Sequence, residues 1–266
     1  MGNENYRPLI DEMVWSFSRI ECFEDCPYRF FLKYIHKSKD EPRFYAAYGR
    51  FMHELIEQYY CDELSKEDML FAYLTRFKAE VIGERPPESV VQKYIAGGIE
   101  YLQNFSPFPF NMIGVEKKIN FTIDGIPFVG FIDYVGEKDG EYYIIDNKSR
   151  DLKPRSNRTK PTAKDAELDK MLKQLYIYSA AVEQEYGKFP KHLCFNCFRT
   201  GTFIYEPFIK EKYDETLKWA KQTIKDIRST DDFYPNCEYF SCRYICGVSD
   251  DCCYNESAIA ERKRQK

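Results

Sequence analysis

Features common to exported and membrane proteins are missing from this chain of 266 residues. No stretch approaches the roughly 20 consecutive apolar residues that a membrane-spanning helix needs. The first six residues lack the basic and then apolar layout of a signal peptide. We therefore expect an intracellular, cytoplasmic protein with no membrane partner.

An excess of positive charge is also missing, because 39 Lys and Arg residues face 43 Asp and Glu residues. No attraction of the whole molecule to nucleic acid follows from a net charge of −4. Internal repeats, low-complexity segments and a linker are absent as well. With 44% apolar and 31% charged residues, the chain has the composition of a globular protein of one large domain or two small ones.

The spacing of apolar residues predicts an α-rich part followed by a mixed α/β part. Helical patterns, the first with Ser18 as its N-cap and Pro27 opening a second piece, cover residues 18–36, 46–60, 66–81, 88–104, 164–186 and 210–228. Strand-like runs cover residues 113–121, 127–135, 142–149, 192–198 and 202–207. The predicted fold class is therefore α/β, with a mixed central sheet flanked by helices, an N-terminal helical lobe and a Cys-rich C-terminal segment.

The strongest local pattern is a hairpin between residues 127 and 149. Asp139-Gly140 favours a two-residue turn, because both central positions of that turn need a positive φ. The resulting register places Asp133 opposite Asp146, with Cβ atoms ~4.5–5.5 Å apart. Like charges at that separation are destabilising unless a cation lies between them, and Mg²⁺ or Mn²⁺ prefers carboxylate oxygens. The hairpin therefore predicts a metal site.

Lys148 shares this site, because it follows Asp146 by two residues and so lies on the same face of the strand. A lysine there can orient a metal-bound water or stabilise charge on a phosphoryl transition state. The alternative is a surface hairpin with an Asp–Lys ion pair at its rim, but the opposed carboxylates favour the metal site. Glu116, near the start of the first strand, is a weaker acidic candidate that we do not assign to the site.

These residues carry a resemblance. The sequence GFID at residues 130–133 and the sequence IIDNK at residues 144–148 resemble the core of the PD-(D/E)xK nuclease superfamily. More narrowly, they resemble its RecB-like branch, which includes the AddB nuclease domain and the CRISPR-adaptation exonucleases. Further motifs match in order from about Trp15 to Cys252: WSFS at 15–18, CPYRF at 26–30, GRFMH at 49–53 and QLYIY at 174–178.

The resemblance implies a restriction-endonuclease-like core and a role for each matching residue. His53, Asp133, Asp146 and the backbone carbonyl of Asn147 are the implied ligands of Mg²⁺ or Mn²⁺. The implied catalytic residues are Lys148, Asp133, Asp146, Gln174 and Tyr178, of which the last two contact DNA and help to order the site. Read without the resemblance, His53 is an ordinary histidine in a helix, and Tyr178 is a core residue beside Gln174.

Ten cysteines are unusual for a protein of a reducing compartment, where clustered cysteines more often bind metal than form disulfides. The resemblance implies a 4Fe–4S cluster held by Cys26, Cys242, Cys246 and Cys252, whose thiolates are the required ligands. Three residues separate Cys242 from Cys246, whereas the branch usually has two residues between the corresponding cysteines. The spare cysteines Cys237 and Cys253 leave room for a shifted ligand set, and structural zinc is the alternative. Separately, we expect core positions for Cys22, Cys61, Cys194 and Cys197.

Positive charge concentrates in one predicted loop. Seven basic residues and the single acid Asp151 lie in residues 148–164: Lys148, Arg150, Lys153, Arg155, Arg158, Lys160 and Lys164. Such a loop beside a metal site would attract a phosphate backbone, whereas the alternative is a solvated loop. Arg262, Lys263, Arg264 and Lys266 form a second basic patch, predicted to be a frayed tail.

Together these observations predict a metal-dependent DNA nuclease, an exonuclease acting on single strands or DNA ends in recombination, repair, CRISPR adaptation or viral DNA metabolism. A helicase or recombination protein on a separate chain is an expected partner. The alternative is an inactive iron–sulfur or zinc protein with the same fold that binds DNA as a scaffold. The predicted organisation is a helical lobe at 1–110 with Cys26 and His53, a nuclease core at 111–230 and a cluster-binding segment with a basic tail at 231–266, all in one compact unit.

Overall fold

The computed structural model describes residues 6–255 and contains one mixed sheet of five strands. In spatial order the strands are β1 (Asn111–Ile123), β2 (Ile126–Lys138), β3 (Glu141–Asn147), β4 (His192–Cys197) and β5 (Thr202–Pro207). The pairings are antiparallel except that of β3 with β4, which is parallel. A parallel pair needs a crossover connection, and a long helix provides it.

Eight α-helices surround this sheet in the described part of the chain. They are α1 (Arg7–Asp11), α2 (Phe17–Asp25), α3 (Pro27–Phe30), α4 (Phe44–Tyr60), α5 (Lys66–Glu80), α6 (Glu88–Gln103), α7 (Ala163–Tyr186) and α8 (Lys210–Ser229). A π-helical turn, Phe31–Ile35, continues α3, and short turns at Ser241–Ile245 and Ser249–Asp251 shape the Cys-rich segment. The predicted α/β class with a mixed sheet and flanking helices is confirmed. Helix α1 was not predicted.

The ends of α2 and α7 show how local sequence sets the boundaries. Ser16 caps α2, since its side chain accepts a hydrogen bond from the Arg19 backbone N–H at 3.2 Å, so the predicted cap at Ser18 is wrong by two residues. Helix α7 begins at a capping box, in which Thr162 and Asp165 each bond the other's backbone N–H. It ends at Gly187, whose φ of 72° is left-handed.

The hairpin between β2 and β3 has the predicted register. Asp139 and Gly140 both have positive φ, at 56° and 75°, as a two-residue turn requires. Pairing runs from Lys138 with Glu141 to Tyr134 with Ile145. One step further along the same register, Asp133 faces Asp146.

Helices cover both faces of the sheet, and each face has its own apolar cluster. One cluster joins α2, α7 and α8 to Ile132, Val135 and Ile144 on the sheet. The other joins α4, α5 and α6 to Tyr134 and Ile145. Helices α4 and α7 therefore approach the sheet from opposite sides. Residues 6–110, which precede β1, contribute to both apolar clusters. The predicted division of the chain into parts that end at residues 110 and 230 stays a prediction.

Among residues 6–255, no helix combines the length and the apolar character that crossing a membrane requires.

Candidate active site

Side chains from three elements meet beside the end of β3. His53, on α4, has its Nδ1 atom 3.4 Å from Asp133 Oδ2 on β2 and 3.8 Å from Glu116 Oε1 on β1. Within the described range, His53, Glu116 and Asp133 form a group whose possible metal-binding atoms all lie within 4.8 Å of one another. The other ring nitrogen, Nε2, donates to the backbone carbonyl of Asn147 at 3.0 Å. The fold thus brings together His53, Asp133 and Asn147, which lie far apart in sequence.

Glu116 is the member of this group that the sequence analysis left unassigned. Its position in β1 is opposite Asp133, because the pairs on either side, Val115 with Tyr134 and Lys117 with Ile132, belong to the register that begins at the turn after Ile123. Glu116 also has a positive φ of 42°, which is rare for a residue other than glycine. The sequence signal that could have placed Glu116 is the Asp124-Gly125 turn, whose residues both have positive φ, because counting from it sets Glu116 opposite Asp133.

Asp146 and Lys148 form the second half of the site. Lys148 Nζ lies 2.6 Å from Asp146 Oδ2 and donates to Gln174 Oε1 at 2.9 Å. Gln174 in turn donates to the Tyr178 hydroxyl at 3.4 Å. Both residues come from α7, where a spacing of four places them on one face. Tyr178 is only 7% exposed, so the buried Tyr178 hydroxyl fixes Gln174, and Gln174 in turn holds the Lys148 ammonium.

The backbone and side chain of Asn147 are also fixed by buried partners. Its N–H donates to Asp133 Oδ2 at 2.7 Å, and its side-chain oxygen accepts from Asn196 Nδ2 at 2.7 Å. Asn196, on β4, also donates to the Tyr101 hydroxyl at 2.8 Å, and its carbonyl accepts from the Lys148 N–H at 2.8 Å. Asn196 therefore clamps the segment that carries the Asn147 carbonyl and Lys148, a role that sequence reasoning missed.

The charges of the site interact strongly. Burial raises the pKa of Asp133, and the carboxylates of Asp146 and Glu116 raise it further, whereas His53 opposes the shift. Burial opposes the positive charge of His53, but attraction to these carboxylates outweighs it and raises the His53 pKa. The pKa of Lys148 is raised as well, because Asp146 outweighs the cost of burial. Three carboxylates thus share one lysine and one imidazole, an arrangement that favours a bound cation.

Helix α2 adds Glu21, which the sequence analysis did not single out. Burial raises the pKa of Glu21, and its carboxylate interacts electrostatically with Lys148. Glu21 is thus a third acidic group, besides Asp146 and Asp133, that interacts electrostatically with Lys148.

Two observations test whether a divalent cation fits these residues. Asp146 Oδ2 is buried and accepts no well-aligned hydrogen bond, even though Lys148 Nζ is near, so the atom retains capacity for a further partner. His53 Nδ1, whose opposite ring nitrogen donates to the Asn147 carbonyl, lies 3.4 Å from Asp133 Oδ2, which is close to the ~3.0 Å between neighbouring ligands around an octahedral ion with bonds of ~2.1 Å. The donor set, oxygen with one imidazole, also suits Mg²⁺ or Mn²⁺. The residues fit the ion.

The four cysteines expected to bind the 4Fe–4S cluster, Cys26, Cys242, Cys246 and Cys252, lie around the start of α3. Cys26 precedes that helix, and its thiol interacts electrostatically with those of Cys242 and Cys246. Cys252 interacts with Cys242 and with the spare cysteines Cys237 and Cys253. Burial raises the pKa of Cys246 and of Cys252 to about 11, although backbone N–H groups favour each thiolate.

The remaining cysteines are Cys22, Cys194 and Cys197, which are buried as predicted, and Cys61, which is exposed. The core position expected for Cys61 is wrong, because this residue follows the end of α4 and not a turn within it.

Arg43 joins the Cys-rich segment to the metal site. It lies directly before α4 and is only 8% exposed. Its guanidinium donates to the Cys246 carbonyl at 3.1 Å, to Ser249 Oγ at 2.5 Å and to Asp250 Oδ1 at 2.9 Å. The helix that presents His53 is therefore anchored at its start by the segment that carries three of the four cysteines.

The basic loop is less available to DNA than its composition indicates. Arg155 pairs with Asp169 at 2.7 Å and with Glu206 at 2.8 Å, while Lys153 pairs with Asp151 at 2.8 Å. Other members also have acidic partners: Arg150 and Lys164, both with Glu167. Arg158 and Lys160 are exposed and make no ion pair with the residues described here, so they are the loop's available charges. The predicted basic tail at 262–266 lies outside the described residues.

Comparisons with known proteins show what this chain is similar to. A family model described as "PD-(D/E)XK nuclease superfamily" matches residues 14–253. No curated protein matches the sequence. A crystal structure from Eubacterium rectale named "Putative exonuclease" is 14% identical, with 94% of this chain and 92% of that chain covered and a TM-score of 0.49.

Proposed function

The chain belongs to the PD-(D/E)XK nuclease superfamily, and from this premise we propose that it is a metal-dependent deoxyribonuclease that degrades DNA from ends or as single strands. The observation that carries the proposal is the convergence of His53, Glu116 and Asp133 within 4.8 Å, beside the 2.6 Å contact of Lys148 with Asp146. A RecB-like branch, with a helicase or recombination protein as a separate partner, remains part of the proposal.

In this proposal the metal ligands are His53, Asp133, Asp146 and the Asn147 carbonyl, with Glu116 added by the structure. A bound Mg²⁺ or Mn²⁺ would polarise the scissile phosphate and lower the pKa of the attacking water. Lys148, held by Asp146 and Gln174, orients that water and offsets the negative charge that develops on the phosphate. Tyr178 fixes Gln174 and is a positioning residue.

The Cys-rich segment is proposed to hold a 4Fe–4S cluster through Cys26, Cys242, Cys246 and Cys252. All ten cysteines lie in the described range, and no three of their sulfurs lie within 4.8 Å of one another. A tetrahedral zinc with Zn–S bonds of ~2.3 Å needs sulfurs about 3.8 Å apart. A cubane cluster binds each sulfur to a different iron and accepts a wider spacing than zinc, so the metal content of the purified protein decides between the two.

Nuclease activity is tested with end-labelled single-stranded and double-stranded DNA in Mn²⁺ or in EDTA. We expect metal-dependent cleavage by the wild type and a loss of at least about 100-fold in Lys148→Ala, because one preorganised charge is removed from the reacting phosphate. The matched control is Lys188→Ala, whose ammonium pairs with Glu141 Oε2 at 2.8 Å at the opposite end of β3. Circular dichroism should show the same fold in all three proteins.

Two results would contradict the proposal, the first its mechanism and the second the nuclease activity itself. Equal cleavage by Lys148→Ala and the wild type would remove the lysine from the mechanism. No cleavage of any DNA, together with salt-sensitive binding to it, would establish the scaffold alternative.

The cluster is tested by iron analysis and visible absorbance of anaerobically purified protein. We expect a coloured protein whose iron content falls in Cys26→Ala and stays unchanged in Cys61→Ala, since Cys61 is exposed and apart from the proposed ligands. A colourless protein that contains zinc would refute the iron–sulfur assignment.

A further inference from the structure

A cavity of about 500 Å³ lies behind the metal site, between the end of α6 and the hairpin of β4 and β5. We propose that this cavity receives one nucleobase of the DNA substrate, from a nucleotide next to the scissile phosphate. The inference rests on the proposed nuclease function and names a subsite for it.

The position of the cavity connects it to the reacting groups. Asn196 lines the cavity, and its side chain donates to Asn147 Oδ1 at 2.7 Å, while the Asn147 carbonyl accepts from His53. Arg199 also lines the cavity and donates from Nε to the carbonyl of Ser149 at 2.9 Å, one residue after Lys148. The cavity is therefore adjacent in the structure to the segment that presents the metal-binding carbonyl and the lysine.

The walls of the cavity supply aromatic rings from three segments. They are Tyr101 on α6, Phe105 and Phe108 in the segment that follows it, and Phe203 and Tyr205 on β5. Tyr205 is 47% exposed and Phe203 is half-buried, so each ring retains exposed surface on which a base can stack. Aromatic rings beside a nucleic-acid site stack on bases of any sequence, because every base has a π-face.

The size and charge of the cavity favour a base over a phosphate. A volume of about 500 Å³ is within the range of small-ligand sites, and both apolar walls and a few polar groups line it. The carboxylate of Glu100 and the guanidinium of Arg199 nearly cancel in charge, and a carboxylate would repel a phosphate. Asn104 and Thr200 add hydrogen-bonding groups at the rim that suit the edge of a neutral base.

The test uses a series of labelled oligonucleotides in which one abasic nucleotide is moved along the strand. With wild-type protein we expect one position at which the missing base lowers the cleavage rate by about 10-fold, the order expected for loss of one stacked base. Phe203→Leu should show a similar loss on intact DNA and no additional loss on DNA abasic at that position. Phe71→Leu is the matched control, because Phe71 is a 68% exposed ring on α5 that does not line the cavity.

Fluorescence anisotropy with the same oligonucleotides in EDTA separates this inference from the nuclease proposal. If no DNA is cleaved but one abasic position weakens binding by about 10-fold, and does so only with an intact Phe203, the base subsite stands and the nuclease fails. If DNA is cleaved and no abasic position affects rate or binding, the subsite is refuted and the nuclease stands. If Phe203→Leu does not fold, Tyr205→Leu takes its place in both assays, because Tyr205 lines the same cavity and is 47% exposed.

Discussion

Replacing Asn196 by alanine tests whether this buried side chain holds the segment from Asn147 to Lys148, which carries two residues of the proposed site, in place. The change removes the Nδ2 donor that lies 2.7 Å from Asn147 Oδ1 and 2.8 Å from the Tyr101 hydroxyl. Asn147 is only 2% exposed, so its side-chain oxygen would remain without a donor. A buried polar group left unpaired costs about 1–3 kcal/mol.

We expect Asn196→Ala to lower the free energy of unfolding by about 2 kcal/mol, because Asn147 loses its partner while the Tyr101 hydroxyl can turn towards the cavity. The assay is urea unfolding followed by circular dichroism in EDTA, so that metal binding does not contribute to stability. In a separate cleavage assay, the Mn²⁺ concentration for half-maximal activity should rise, because the Asn147 carbonyl is no longer clamped.

Asn120→Ala provides the control, since Asn120 is exposed on β1 and should change stability by less than about 0.5 kcal/mol. Asn196→Asp keeps the size of the side chain and replaces the donor by an acceptor, so it should be at least as destabilising as alanine. The reasoning is refuted if Asn196→Ala unfolds like the control and requires no additional Mn²⁺.

Three further predictions concern other parts of the site and sheet. Glu116→Gln should raise the Mn²⁺ concentration for half-maximal cleavage by at least about 10-fold, and an unchanged metal titration would remove Glu116 from the ligand set. Gly130→Ala should lower the free energy of unfolding by about 1–3 kcal/mol, because the new Cβ would lie 2.6 Å from Tyr178 Cε1. The measurement is urea unfolding, and an unchanged midpoint of the unfolding curve would contradict this close approach. Burial lowers the pKa of His192, so the unfolded chain binds the proton first and stability should decrease as the pH falls below about 6.5. His192→Gln should have a weaker pH dependence of stability between pH 8 and pH 5.5, and identical curves would exclude His192 as a cause.

Much of the fold could be predicted because its signals are local. The Asp139-Gly140 turn needs positive φ at both positions, and once it forms, the pairing of β2 with β3 follows by counting. The limits of α7 follow from the capping residues at Thr162 and the glycine at position 187 in the same way. Errors of a few residues, such as Ser18 in place of Ser16 as a cap, arise because neighbouring serines offer the same hydroxyl.

The candidate site was predictable only where its residues belong to such local patterns or to a matching motif. Asp133, Asp146 and Lys148 follow from strand pairing and periodicity. The position of Glu116 follows from the same counting when it is applied to the Asp124-Gly125 turn, although its own positive φ of 42° has no sequence signal. Asn196 could not be assigned, because its partners come from β3 and α6, and nothing in a strand sequence indicates which neighbour an amide will contact.

By itself, the sequence determined the order of helices and strands, the register of the central hairpin and the pairing of two carboxylates with a lysine. Turn dihedrals, capping and side-chain periodicity act over a few residues, so they are readable without a fold. Only the tertiary structure decided that Asn196 holds the Asn147 side chain, that acidic partners occupy most of the basic loop, and that an aromatic cavity lies behind the site. Those contacts join segments tens of residues apart, and they depend on how α4, α6 and α7 pack on the two faces of the sheet.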